Sequence, residues 1–283
     1  MSIKAVNLSY NYMQGTPFEN NALNCVEADI KEGEFVLLAG STGSGKSTLV
    51  QHFNGLIKPA SGSVYIFGKD IWEKNYNLKK LRQDVGLVFQ FPESQLFEKN
   101  IYDDIAFGPR CAEVTEEEID RRMNEYLSWI GLTKEEAKKR SPFTLSGGQM
   151  RKVALAGVMI MNPRVLILDE PTVSLDPKST QQVMDKIKTL HKTRNSTIIV
   201  VTHNLNEVID YTQQVIIMDK GKIIFSGRKE KLADKKYDIE SIGLELPEQT
   251  KLLIKLKEKG IDIRTDIFGV DETIKEIKKI WSF

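Results

Sequence analysis

Residues 40–47 read GSTGSGKS, and this stretch restricts the fold more than any other part of the chain. It stands between an apolar run at residues 35–39 and an amphipathic segment that starts at Thr48, as a loop stands between a strand and a helix. A loop with this spacing wraps backbone N–H groups around phosphate oxygens, which side chains would keep at a distance. The alternative is a glycine-rich turn that arose by chance, and the flanking strand and helix argue against it. We therefore predict a phosphate-binding loop (P-loop) in an α/β fold.

The residue types of the P-loop each have a physical reason to be there. Glycines leave room for the phosphates, and the helix that follows directs its positive N-terminal end toward them. Lys46 can reach the β and γ phosphates of a nucleotide, and the hydroxyl of Ser47 can ligate Mg²⁺. The predicted nucleotide-binding residues in this region are Gly40, Ser41, Thr42, Gly43, Ser44, Gly45, Lys46, Ser47 and Thr48.

Composition narrows the class of protein. Hydrophobic residues make up 41% of the 283 residues, which is typical of a globular chain with a full core. The 40 basic and 39 acidic residues give a net charge of +1, so the charge balance does not indicate a nucleic-acid partner. No apolar run approaches the roughly eighteen residues that cross a bilayer, and the first residues lack the apolar core of a signal peptide. We expect a cytosolic chain with reduced cysteines at Cys25 and Cys111.

Strand and helix signals alternate along the chain. This pattern predicts a mostly parallel core sheet with helices on both faces, and antiparallel strands at its N-terminal side and edge. Strands are expected at residues 3–12, 25–30, 35–39, 63–67, 85–89, 165–168 and 197–201, and a hairpin at 215–218 and 222–225. Residues 15–23 are expected to form a loop, and residues 58–62 and 68–70 to form turns.

Two helical regions add to this core. The first is a helical insert at about 91–162, where Thr115 and Thr133 each precede a glutamate in a capping-box pattern and Gly131 closes the helix between them. The second follows residue 227, with lysine-rich helices expected at 247–259 and 271–280. We predict a main domain at 1–227 and a small domain at 228–283. The small domain either packs on a core of its own or forms an association surface.

Further motifs follow the P-loop in a fixed order. They are Gln90 at a strand end, LSGGQ at 145–149, VLILDE at 165–170, SLD at 174–176, and a strand that ends in Thr202-His203. Together they resemble the nucleotide-binding subunit of an ABC transporter over about residues 3–227, and LSGGQ separates this family from other P-loop NTPases. The strings FQFPESQLFE and DIAFGP, with the C-terminal helices, resemble the ATPases of energy-coupling factor (ECF) importers, which take up vitamins and transition-metal ions.

The resemblance implies catalytic roles for side chains at strand ends. Glu170 would orient and deprotonate the water that attacks the γ-phosphate, and His203 would hold Glu170 and that water in line. Lys46 and Gln90 complete the implied catalytic set. A satisfied core histidine is the alternative for His203, and a simple polar cap is the alternative for Gln90.

The resemblance also implies ligands for Mg²⁺ and for the adenine base. Asp169 would hold the ion through water, with Ser47 and Gln90 as further ligands, whereas a turn-capping aspartate is the alternative. Tyr12 resembles the aromatic residue that stacks on adenine. Tyr10 is the second candidate for that role, and ordinary core packing is the third reading.

The LSGGQ signature offers a second phosphate-binding surface. Ser146, Gly147, Gly148 and Gln149 combine a hydroxyl, bare backbone and a helix N-terminus, although the same residues could serve only as a helix cap. In the family this signature faces the P-loop of a partner subunit, so ATP lies between two chains and Asp176 crosses the interface. The GTPFE string after Tyr12 resembles one of the two ATPase types that pair in many ECF importers, which implies a heterodimer, and a homodimer stays open because no motif is degenerate.

Partners are expected at the membrane. Phe91, Leu96 and Phe97 would form a groove near Gln90 that receives a helix of an integral membrane subunit, or they would belong to the core. A separate membrane subunit would bind the solute, and the chain would lie peripherally on the cytoplasmic face of the cell membrane. Two other classes compete with this ATP-hydrolysing importer subunit. One is a soluble ABC-type ATPase that works on nucleic acid or ribosomes, and the other is a nucleotide sensor that does not hydrolyse ATP.

Overall fold

Two β-sheets organise the computed structural model, which describes residues 2–233 and 239–280. The strands are β1 (Ile3–Tyr12), β2 (Asn20–Ile30), β3 (Phe35–Gly40), β4 (Ser61–Ile66), β5 (Lys69–Asp70), β6 (Val85–Val88), β7 (Val165–Asp169), β8 (Thr197–Val201), β9 (Gln214–Asp219) and β10 (Lys222–Arg228). The helices are α1 (Lys46–Phe53), α2 (Leu78–Asp84), α3 (Ile101–Cys111), α4 (Glu116–Ile130), α5 (Lys134–Lys139), α6 (Gly147–Met159), α7 (Pro177–Arg194), α8 (Glu248–Glu258) and α9 (Val270–Ile280). The predicted domains also include residues 1, 234–238 and 281–283, which lie outside the described residues.

The larger sheet has the strand order β10-β9-β3-β8-β7-β6. Its neighbouring strands run parallel except at the β9–β10 hairpin, which is antiparallel. Successive side chains of β3 enter two different cores: Phe35 and Leu37 pack on one face, and Val36 and Leu38 pack on the other. Burial on both faces explains the continuous apolar runs that predicted these strands. The predicted α/β class with a mostly parallel sheet is confirmed.

The smaller sheet is antiparallel, with the order β2-β1-β4-β5. The prediction of a loop through residue 23 is wrong, because β2 already begins at Asn20, which pairs with Tyr12. Leu23 is fully buried. Its burial, together with pairing to β1, stabilises this part of the chain as a strand although its sequence is polar. The turn expected at residues 68–70 also contains the short strand β5, which pairs with β4. The helix α2 was not predicted; Asn77 caps it by accepting from the N–H of Lys80.

The helical insert contains α3 to α6, and its caps differ from each other. Thr133 and Glu136 form a complete capping box, as predicted. At Thr115 only half of the box is present, because the carboxylate of Glu118 bonds to arginines at positions 121 and 122 instead. Gly131 ends α4 in the left-handed conformation, with φ of 87°.

The C-terminal helices have a small core of their own and also contact the main domain. Leu253, Ile263 and Ile267 form a small core of their own, whereas Phe268 packs into the main core beneath the larger sheet. On α9, Val270 and Ile274 are largely exposed. Within the described ranges, no helix is both long enough and apolar enough to span a membrane.

Candidate nucleotide-binding and hydrolysis site

Four strands of the larger sheet deliver the predicted site residues to the same edge. The P-loop follows β3, Gln90 follows β6, Glu170 follows β7, and His203 follows β8. Because these strands are parallel and in register, with Leu38 and Asp169 both paired with Val201, their carboxyl ends lie side by side. Ligands of open α/β sheets bind at this edge.

The P-loop needs glycine at two positions for close backbone contact. A Cβ on Gly40 would lie 2.2 Å from the carbonyl oxygen of Met218, and a Cβ on Gly45 would lie 2.4 Å from that of Ala22. A Cβ on Gly43 would meet nothing within 4 Å among the described residues, so this position faces open space. One side of the loop therefore packs tightly against neighbouring backbone, and the other side is free for a ligand.

Lys46 holds the P-loop closed. Its ammonium group donates to the carbonyl oxygens of Gly40 at 2.9 Å and Ser41 at 2.8 Å. Burial lowers the pKa of Lys46, and the nearby carboxylates of Glu170 and Asp169 oppose that effect. The side chain is thus a buried cation that lies close to two anions and within a loop suited to phosphate.

Asp169 and Ser47 form the part of the site that fits Mg²⁺. Asp169 is 7% exposed. Burial raises the pKa of Asp169, the Ser47 side chain lies close enough to its carboxylate to oppose the rise, and the neighbouring charge of Glu170 adds to it. Hydroxyl and carboxylate oxygens are the hard donors that Mg²⁺ prefers, and this ion commonly uses only one or two protein ligands beside phosphate and water. Gln90 lies beyond the end of β6 with an exposed side chain.

Glu170 is held by Thr202 and His203, the two residues that directly follow β8. Its Oε1 accepts from the backbone N–H of His203 at 3.2 Å and lies 2.7 Å from Nδ1 of the same histidine. Its Oε2 accepts from the hydroxyl of Thr202 at 3.1 Å. The His203 side chain is 61% exposed, so the reading of a core histidine is wrong. The sequence analysis assigned no role to Thr202, and its place between a buried strand and His203 is the only signal that could have indicated one.

Tyr12 has the more accessible ring of the two candidate tyrosines. Its hydroxyl lies 3.2 Å from the Thr48 hydroxyl, beside the P-loop, and the residue is 37% exposed. Tyr10 packs against the core beneath the smaller sheet and contacts Tyr12 edge to face, with 4.9 Å between ring centroids. Tyr12 therefore offers the surface on which a base can stack.

The signature residues form a helix cap and remain accessible. Ser146 and Gln149 form a complete capping box at the start of α6, while Ser146 and Gly147 are exposed. Asp176 caps α7 and accepts from the N–H groups of Lys178 and Ser179. The apolar side chains of α1 and α6 enter different cores on opposite faces of the larger sheet. The P-loop and the signature of one chain thus begin on opposite faces.

The predicted groove residues separate into two groups. Phe91 and Phe97 are 45% and 58% exposed, and Phe97 contacts the exposed ring of Phe107 edge to face at 4.9 Å. Leu96 is a member of the main core and is 8% exposed, so the prediction of Leu96 as a surface anchor is wrong. Phe107 is exposed beside Phe97 instead. The sequence signal for this surface residue was an aromatic side chain in the middle of the amphipathic helix α3.

Comparison with known proteins agrees with this geometry. A family model described as "ABC transporter" matches residues 23–173. The energy-coupling factor transporter ATP-binding protein EcfA2 of Clostridium tetani is 49% identical, over 100% of this chain and 98% of the relative. The protein of the same name from Clostridium acetobutylicum is 47% identical, over 99% of this chain and 98% of its own length.

Solved structures give the same result. The structure of cbiO1 from Clostridium perfringens, described as part of the ABC transporter complex cbiONQ, matches with a TM-score of 0.72 and 37% identity, over 90% of this chain and 98% of that chain. MJ0796, described as a dimeric bacterial ABC transporter cassette, matches with a TM-score of 0.71 and 31% identity, over 80% and 98%. The chain belongs to the ABC transporter ATPases, and within them to the family of energy-coupling factor transporter ATP-binding proteins.

Proposed function

We propose that this chain hydrolyses ATP to power an ECF-type importer of vitamins or transition-metal ions, on the cytoplasmic face of the cell membrane. The observation that carries the proposal is the carboxylate of Glu170, which Thr202 and His203, directly after β8, fix at the edge of the sheet beside Lys46 and Asp169. In-line attack on a γ-phosphate needs a fixed proton acceptor opposite the leaving oxygen. A buried, oriented carboxylate at this edge meets that requirement.

The residues of the site divide the reaction between them. Glu170 accepts a proton from the attacking water, and the Nδ1–H of His203 donates to Glu170 and keeps it oriented. Lys46 binds the β and γ phosphates after exchanging its bonds to loop carbonyls for phosphate oxygens. Mg²⁺, held by Ser47 and Asp169 with Gln90 near, would neutralise charge that develops on the phosphates.

ATP binds between two ATPase subunits in this proposal. The support is that the P-loop helix and the signature helix of one chain pack on opposite faces of the sheet, so the signature of a partner subunit is needed to cover the P-loop. The signature contributes Ser146, Gly147, Gly148 and Gln149, and Asp176 lies in the loop that precedes α7. A heterodimer with a second ATPase is favoured, and the exposed residues of α9 add to the contact. Nucleotide binding drives closure, and hydrolysis releases it.

The membrane-embedded coupling subunit docks near Gln90 to Phe97. Phe91, Phe97 and Phe107 supply exposed aromatic surface there, which suits the apolar side of a helix. A further membrane subunit binds the solute, and no contact of this chain with nucleic acid is proposed.

Purification from detergent-solubilised membranes tests the assembly. We expect the tagged chain to bring down an integral membrane protein and a second ATPase, and ATP turnover to disappear in the complex when Glu170 is replaced by Gln. Glu170→Gln should also trap an ATP-dependent association of the chain with itself or with the second ATPase. Recovery of ribosomes or nucleic acid without membrane proteins would contradict the proposal, as would turnover that survives Glu170→Gln.

A further inference from the structure

Arg151 is a buried cation that joins two loops of the site. It lies on α6 shortly after the signature and is 2% exposed. Its Nε donates to Oε2 of Glu93 at 3.2 Å, and its Nη1 donates to the carbonyl oxygen of Val173. Glu93 belongs to the glutamine loop, which we define as residues 90–97, and Val173 belongs to the SLD loop, defined as residues 171–176. One guanidinium group thus bonds to both loops.

The SLD loop continues this contact toward Glu170. The backbone N–H of Val173 donates to the carbonyl oxygen of Glu170 at 3.4 Å. On the neighbouring residue, the hydroxyl of Thr172 donates to the carboxylate of Glu207, a residue that follows β8. The SLD loop is therefore held by Arg151 on one side and by Glu207 on the other.

A second route of hydrogen bonds returns from Glu207 to the catalytic carboxylate. Oε1 of Glu207 accepts from the Asn204 side chain at 2.9 Å, and the N–H of Asn204 donates to the Thr202 hydroxyl at 3.1 Å. That hydroxyl donates in turn to Oε2 of Glu170, also at 3.1 Å. The bonds form a continuous path from Glu93 in the glutamine loop to Glu170.

The chemistry of Arg151 makes this path responsive to movement of the glutamine loop. A guanidinium buried this deeply needs its acceptors, because an unpaired buried charge is costly. Among the described residues, its Nη2 atom is buried and has no hydrogen-bond partner, so Arg151 has no spare acceptor in this arrangement. If Glu93 moves, Arg151 therefore has to move with it to keep its acceptor. Arg151 also bonds to Val173, so the movement reaches the SLD loop.

We propose that Arg151 is a positioning residue that couples the glutamine loop to the SLD loop and thereby sets the orientation of Glu170. The proposal rests on the proposed function, in which Glu170 is the catalytic base and the glutamine loop lies under the membrane subunit. Docking at that loop is then transmitted to the hydrolysis site through the Glu93–Arg151–Val173 contact.

Steady-state kinetics of ATP hydrolysis test the coupling, with the full-length chain and its complex measured in parallel. In Arg151→Met we expect kcat to fall about tenfold while KM for ATP stays within about twofold, because orientation is lost but the binding surface is kept. Arg151→Lys should recover part of the loss, since one ammonium group can reach only one of the two acceptors. Glu93→Gln should lower kcat about threefold. The double variant should have a kcat no lower than that of Arg151→Met alone, because both changes break the same contact between Glu93 and Arg151.

Lys186→Met provides the matched control. Lys186 is a largely buried cation that pairs with Glu125 at 2.6 Å and joins α7 to α4. The Lys186→Met substitution should lower the melting temperature and leave kcat unchanged. The coupling is overturned if Arg151→Met behaves like this control, or if the double variant multiplies the two single losses. Should Arg151→Met fail to fold, an unchanged kcat in Glu93→Gln overturns it. Turnover that survives Glu170→Gln would instead show that Glu170 is not the catalytic base, and this result would contradict the proposed function.

Discussion

The Nδ1 atom of His203 lies 2.7 Å from Oε1 of Glu170, and this bond joins the ends of two neighbouring strands. Glu170 itself has a positive φ of 49°, a conformation that costs a residue with a side chain about 1–3 kcal/mol. Its backbone N–H donates to the carbonyl oxygen of Val201 at 2.9 Å, so the main chain bonds to the last residue of β8 and the side chain bonds to the two residues after it. The strained backbone directs the carboxylate toward the P-loop edge, and the β8 contacts maintain it.

Replacing His203 with Ala should lower kcat for ATP about a hundredfold, the usual range for loss of a group that assists proton transfer. ATP affinity should change little, because the P-loop contacts are untouched. Steady-state turnover and equilibrium binding of a fluorescent ATP analogue measure the two quantities. His191→Ala is the control, since His191 bonds to the Ser196 carbonyl oxygen at 3.0 Å and packs on Phe35. Equal losses of turnover in the two variants would contradict a catalytic role for His203.

Replacing Asp169 with Asn should stabilise the nucleotide-free chain at neutral pH. Burial raises the pKa of Asp169 above its ordinary 3.8, so folding favours the protonated form. That contribution is fully present below the ordinary pKa and is lost as pH rises through the raised pKa. An amide stays neutral at every pH, so the variant should match wild type near pH 4. At pH 7.5 it should melt about 2–4 °C higher, the shift expected for roughly 1 kcal/mol.

Melting curves from pH 4 to pH 8 measure this difference, and turnover in Mg²⁺ should be lost in the same variant. Asp185→Asn is the control with the opposite sign, because hydrogen bonding from Gln181 lowers the pKa of Asp185. A melting temperature for Asp169→Asn that equals wild type at all pH values would contradict the effect of burial.

Alanine substitutions at two P-loop glycines should have different effects on folding stability and on ATP binding. Gly45→Ala places a Cβ against the Ala22 carbonyl at a φ of 102°, so it should destabilise the chain by more than about 1 kcal/mol. The Cβ of Gly43→Ala meets nothing within 4 Å in the described part of the chain, and its cost should be confined to about 1 kcal/mol of backbone strain at a φ of 78°. In the proposed function the phosphates approach this open side of the loop, so Gly43→Ala should weaken ATP binding about tenfold. Calorimetric melting and ATP titration distinguish the variants; normal ATP affinity in Gly43→Ala would show that phosphates do not approach this position.

The fold and most of the site could be predicted because their signals are local. The strands β3, β7 and β8 are buried on both faces, so each is a continuous apolar run whose end marks the next functional residue. The start of β2 could not be read in this way. Asn20 and its neighbours are polar, and only the pairing of Asn20 with Tyr12 makes them a strand.

Arg151 and Leu96 show the same limit within the site. An arginine in a polar stretch of α6 is typical of a solvated helix face, and its burial depends on Glu93 and Val173, which are distant in sequence. Leu96 and Phe97 are adjacent apolar residues, and the 3-10 helix Pro92–Gln95 decides which of them enters the core. Local pattern does not determine that choice, because it depends on tertiary packing.

Tyr12 gives a prediction that separates binding of the base from binding of the phosphates. If adenine stacks on its exposed ring, Tyr12→Ala should weaken ATP binding by about 1–3 kcal/mol, the usual value of base–aromatic stacking. Tyr12→Phe keeps the ring and loses only the 3.2 Å contact with Thr48, so its affinity should stay within about threefold of wild type. Tyr211→Ala is a matched control, because Tyr211 is also 37% exposed but precedes β9 at the opposite edge of the sheet.

Inorganic tripolyphosphate, which has no base, identifies the part of the nucleotide that Tyr12 contacts. Wild type and Tyr12→Ala should bind tripolyphosphate with equal affinity, measured by displacement of a fluorescent ATP analogue, although they differ for ATP. An equal loss for both ligands would mean that the Tyr12 hydroxyl supports the P-loop through Thr48 and that the ring does not contact adenine. A loss confined to ATP places the nucleoside part of ATP on Tyr12, at the end of β1, because tripolyphosphate tests the phosphate contacts of the P-loop.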